Sequence, residues 1–80
     1  FNPSTTLHYG IDKAGKVNID IYNSRGQRVK SYNQEHSSAG YYRLIWDGTD
    51  DNGKTLSSGI YFYKMRTKAF SATRKMILSK

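Results

Sequence analysis

Cysteine is absent from these 80 residues, which removes disulfide staples and thiolate metal centres together. Stability must come from apolar packing alone. Apolar runs reach only a few residues, far short of the roughly 20 that a membrane-crossing helix needs. "FNPSTTLHYG" has neither the basic start nor the apolar middle of a signal peptide. Beginning without Met and on turn-forming residues, the stretch reads as cut from a longer chain. A length of 80 residues fits one small domain, 1–80, too small to enclose a deep cleft. Also missing are a twelve-residue window with a helical stripe, an internal repeat and a low-complexity linker.

What is present has a period of two. In "KVNIDIYN" Val17, Ile19 and Ile21 alternate with Asn18, Asp20 and Tyr22, the pattern of a strand with one wet face. "YYRLIWD" sets Tyr42, Leu44 and Trp46 against Tyr41, Arg43 and Ile45. "IYFYKMRT" sets Tyr61, Tyr63 and Met65 against Ile60, Phe62, Lys64 and Arg66. Shorter strands are expected over Thr5 to Tyr9, Arg28 to Tyr32 and Thr73 to Leu78. Between them fall "DKAGK", "NSRGQ", "HSSAG", "DDNGK" and "TKAFS", rich in turn formers. The expected fold is all-β: a small immunoglobulin-like antiparallel β-sandwich of six to seven strands without substantial helix. An open barrel of the oligonucleotide-binding type is the competitor. Trp46 is expected in the core beside Ile19, Ile21, Leu44 and Tyr63.

Six acids are few, yet three of them crowd into "WDGTDDNGKTLSSGIYFYKM". An EF-hand loop places oxygen ligands at alternate positions before its glycine, and counting back from Gly53 gives Asn52, Asp50 and Gly48. The first ligand position is empty and no Glu closes the loop. A weak calcium site on Asp47, Asp50 and Asn52 is therefore the lesser reading. The preferred one is a turn, with Asp side chains accepting backbone N–H bonds and Gly48 and Gly53 supplying conformations closed to other residues. Catalysis is not expected: Asp50 and Asp51 are adjacent and alike, whereas an acid–base pair needs carboxyls in different environments. His36 beside Ser37 and Ser38 is not a triad, His8 stands alone in a short strand, and no nucleophile elbow or phosphate loop is present. No cofactor and no metal are expected.

Thirteen lysines and arginines give a formal charge of +7. Lys64, Arg66, Lys68, Arg74, Lys75 and Lys80 follow one another without an intervening acid, a basic strip on the last hairpin. Nucleic acid is not the expected partner, because no RNA-recognition signature occurs and Tyr61 and Tyr63 alternate as core residues do. An anionic surface or an acidic protein fits better, beside the plainer role of protecting an edge strand.

The order "NPSTT", "KVNIDIYNSRGQRV", "AGYYRLIWDGTDDNGKTLSSGIYFYKM", "TRKMILSK" resembles the type A C-terminal sorting domain of proteins exported by the type IX secretion system of Bacteroidota and relatives. It is also similar to the immunoglobulin-like domain of flagellar hook-capping proteins, which shares the "WDG.D..G....SG.Y" core. The first resemblance implies a sorting signal recognised through Asn2, Pro3, Leu56, Gly59, Tyr61, Lys75 and Lys80. It implies as partners the outer-membrane translocon and a sortase-like peptidase, a cargo domain joined ahead of the chain, and an anionic cell-surface polysaccharide. Secretion or cell-surface display through the periplasm and outer membrane of a Gram-negative bacterium follows. The alternatives are a non-catalytic structural module of the hook-capping kind and a carbohydrate-binding module, for which Tyr41 with Tyr22 is the candidate platform.

Overall fold

A computed structural model describes residues 4–69 and 71–79. Six strands follow in order: β1 Thr5–Ile11, β2 Gly15–Asn23, β3 Arg28–His36, β4 Gly40–Trp46, β5 Gly59–Arg66 and β6 Ser71–Leu78. All pairings are antiparallel. β1 and β4 form a two-stranded sheet, and β3-β2-β5-β6 form a four-stranded one. This is the expected all-β sandwich, with no helix among the described residues.

The period-two pattern fixes which face of each strand turns inward. Leu7, Tyr9 and Ile11 from β1 and Trp46 from β4 meet Val17, Ile19 and Ile21 from β2, Tyr61, Tyr63 and Met65 from β5, and Met76 and Leu78 from β6. Trp46 is 0% exposed and its ring meets that of Tyr61 edge-on at 5.1 Å. Leu44 and Tyr42 pack on this core from the same face of β4. Trp46 thus sits where its strand phase places it.

Three strands run further than their apolar residues announce. β1 reaches Ile11, β6 begins at Ser71, and β3 continues past Tyr32 through Asn33, Gln34, Glu35 and His36. That polar stretch is held as strand by its ladder to β2, from Lys30 opposite Ile21 to His36 opposite Gly15. Near the β2–β3 turn the register shifts between Ile21 and Tyr22, a bulge that sets Tyr22 opposite Arg28. The wet face expected for β2 is also not uniformly wet. Asp20 is only 2% exposed.

Candidate functional site

The loop that follows Trp46 is built from its own acids. Trp46 Nε1 donates to the Thr49 carbonyl at 2.9 Å, so the buried indole anchors the first turn. Asp47 Oδ1 accepts from Thr49 Oγ1 at 2.6 Å and from Thr49 N at 3.2 Å. The side-chain bond to Thr49 is the main force holding the Asp47 carboxyl below its ordinary range. Asp50 Oδ1 accepts from the backbone N–H of Asn52 and of Lys54, each at 2.9 Å. Gly48 is buried at φ 80°, a conformation a side chain would strain, and its carbonyl takes the Leu56 N–H at 2.9 Å. The carboxylates of Asp47 and Asp50 therefore face their own backbone rather than a common point. Among the described residues no three His, Asp or Glu side chains gather as metal ligands.

Asp51 does something the sequence did not disclose. Its N–H donates to the Val29 carbonyl at 3.0 Å and its Oδ1 accepts from the Ser31 N–H at 3.3 Å. Lys30 Nζ adds a bond to the Asp50 carbonyl at 3.2 Å. The acidic loop thereby covers part of the outer edge of β3, whose polar groups would otherwise stand open to another chain. Burial, reinforced by the nearby carboxylates of Asp47 and Asp51, raises the Tyr32 phenol above its usual value. The third acid belongs to edge protection as much as to turning.

Leu56, Gly59 and Tyr61 form one corner. Tyr61 OH donates to the Ser57 carbonyl at 2.7 Å, the tyrosine-corner geometry of immunoglobulin-like sandwiches. Gly59, at φ 154°, opens β5 in a conformation reserved for glycine, and Leu56 packs against the core. Lys75 lies exposed on β6 opposite Phe62. Asn2, Pro3 and Lys80 lie outside the described residues.

The basic strip does not stay together. Lys64 and Arg66 point to the outer face of the four-stranded sheet, Lys68 sits in the β5–β6 turn, and Arg74 and Lys75 take opposite phases of β6. Arg66 Nη2 reaches Asp20 Oδ2 at 3.2 Å and Asn18 Oδ1 at 2.7 Å, while Ser31 Oγ donates to Asp20 Oδ1 at 2.7 Å. A run without acids along the chain is thus answered by an acid from the neighbouring strand. Only strand pairing reveals this.

His36, expected in a loop, closes β3 instead. Its ring stacks on Tyr42 with centroids 3.5 Å apart, and its Nε2 bonds Tyr9 OH at 2.6 Å. Tyr42 OH donates in turn to the Ser38 carbonyl at 2.6 Å. These rings join β1, β3 and β4 across the two sheets. Burial and then the neighbouring Tyr42 raise the Tyr9 phenol above its usual value. The Tyr41–Tyr22 platform is not formed: Tyr41 stands on the outer face of the two-stranded sheet and Tyr22 on the outer face of the other.

Residues 4–69 match the FlgD Ig-like domain family. The chain belongs to that family. Over 96% of its length it superposes on FlgD of Xanthomonas campestris, a hook-capping protein essential for flagellar assembly, at 30% identity and a TM-score of 0.72. FlgD of P. aeruginosa superposes over 94% of the chain at 21% identity and a TM-score of 0.76, a likeness of fold. The chain spans 56% and 59% of those two chains. No curated protein matches.

These findings correct the sorting-domain resemblance. The matches are to FlgD, so a type IX translocon, a sortase-like peptidase, an attached cargo domain and an anionic surface polysaccharide do not stand as partners. Secretion or cell-surface display as cargo falls with them. The physical reason lies in the motif. "WDG.D..G....SG.Y" encodes the indole anchor, two Asp-stabilised turns and the tyrosine corner, and therefore reports a way of folding rather than a destination.

Proposed function

We propose that this chain is a non-catalytic immunoglobulin-like module of a FlgD-type hook-capping protein, a structural block used in flagellar hook assembly. The observation that carries the reading is the family match over residues 4–69 together with 30% identity to the Xanthomonas campestris protein. The site geometry agrees with it. The carboxylates of the Trp46 loop are committed to backbone N–H groups, and Asp20 to Ser31 and Arg66, so the polar side chains serve shape.

Domain exchange tests this. Residues 1–80 replace the matching region of Xanthomonas campestris FlgD in a strain lacking that gene, and hooks are counted by electron microscopy. Hooks and motility are the expected result. A chimera that is folded and exported but leaves the cells without hooks overturns the reading.

A further inference from the structure

We propose that the slot between β1 and β6 is a docking site for an extended strand of another polypeptide, with apolar and acidic residues in alternation, which pairs with the free edge of β1. This inference stands apart from the hook-capping reading and is tested on the chain itself. Immunoglobulin-like sandwiches of seven strands place three or four in each sheet, whereas the smaller sheet here has two. Its β4 ladder uses one edge of β1. The other edge faces β6, which among the described residues is paired only with β5. The two edges meet where Thr5 Oγ1 donates to the Ile77 carbonyl at 3.5 Å, with no backbone ladder between them among the described residues.

Two side-chain bonds show which backbone groups look into this gap. The His8 carbonyl accepts from Tyr63 OH at 3.4 Å, and the Ile77 carbonyl from Thr5. Because strand backbone alternates, Thr6, His8 and Gly10 then turn their N–H and C=O groups toward the slot from one side. Ser71, Thr73 and Lys75 do so from the other. Beyond Thr5 the gap widens into a cavity of about 130 Å³ lined by His8, Tyr9, Gly10, Tyr63, Met65, Ala72 and Arg74. It opens to a mouth of about 470 Å³ bordered by Thr6, Tyr41 and Tyr42.

The chemistry of the lining selects the occupant. The rims of Tyr63 and Met65, both largely buried, give the small cavity an apolar floor that suits one side chain of an incoming strand. No acid lines the cavity or its mouth, while Arg74 lines both. In a chain of net charge +7 this cation favours Glu or Asp at the remaining positions. The free edge supplies backbone pairing and the floor an apolar contact.

The probe is a peptide of about ten residues alternating Val and Glu, a common strand length with some margin. Its Val and Lys counterpart is the control. Amide exchange is followed by NMR on the intact chain. Saturating Val-Glu peptide is expected to slow exchange at Thr6, His8 and Gly10 by about tenfold or more, and the Val-Lys peptide to leave it unchanged. Arg74→Glu, at an exposed residue of the lining, is expected to weaken binding by about tenfold or more. His8→Pro removes one slot-facing donor while sparing the ladder to β4, and is expected to abolish the protection. If His8→Pro does not fold, the charge reversal decides. Equal response to both peptides, protection confined to other strands, protection of these amides already in the free chain, or a concentration-dependent dimer that closes the β1 edge with a second copy would each overturn the proposal.

Discussion

Trp46 carries two kinds of work that truncation separates. Its ring fills the centre of the core against Tyr61, and its Nε1 holds the loop through Thr49. Trp46→Ala is expected to cost about 3 to 5 kcal/mol, read as a fall in urea midpoint, because the cavity cannot close in so small a sandwich. Tyr61→Phe keeps the ring and removes only the hydroxyl donated to Ser57. A loss of about 1 kcal/mol is expected, and a neutral result would show that the corner is held by packing alone. At Asp47 the folded carboxyl binds its proton less readily than the unfolded one, since ionisation strengthens its bond from Thr49. The sign follows: this stabilisation is present above the unfolded value near 3.8 and is lost as pH falls through the lower folded value. Asp47→Asn should therefore flatten the decline in stability as pH falls below the unfolded value, measured by denaturation at stepped pH.

At the scale of elements, the acidic loop and the edge of β3 act as one unit. Asp51→Ala leaves the backbone bond to Val29 but takes away the acceptor of the Ser31 N–H. Faster amide exchange at Ser31, with a stability loss of about 1 kcal/mol, is the expected outcome. Unchanged exchange there would mean that the loop does not guard the edge. The strands themselves were legible in the sequence wherever apolar residues alternate, as in Val17, Ile19 and Ile21 or Tyr61, Tyr63 and Met65. The polar end of β3 was not, because Asn33 to His36 become strand only through their register with β2. Asp20 escaped notice for the same reason. Its partners Ser31 and Arg66 lie 11 and 46 residues away, and no local pattern announces a carboxylate sealed between neighbouring strands. The Trp46 loop, by contrast, was readable as a turn because its bonds are local. Its contact with β3 was not, being 20 residues distant.

For the whole molecule, two of the four strand pairings, β1 with β4 and β2 with β5, join strands far apart in the chain, and β1 must wait for β4 before it can pair. Non-local pairing of this kind folds in about milliseconds to seconds rather than microseconds. The single tryptophan is a convenient reporter, since Trp46 passes from solvent to full burial. Stopped-flow refolding followed by its fluorescence should show that timescale, and complete recovery within microseconds would contradict the topology. Thr5 and Ile77 touch, so the start of β1 and the end of β6 stand side by side at one end of the sandwich. Mechanical load applied through those two points would not shear a ladder along its length. It would peel β1 from β4 and β6 from β5 one rung after another, so the module yields readily when tugged by its own ends and resists best when gripped across its sheets.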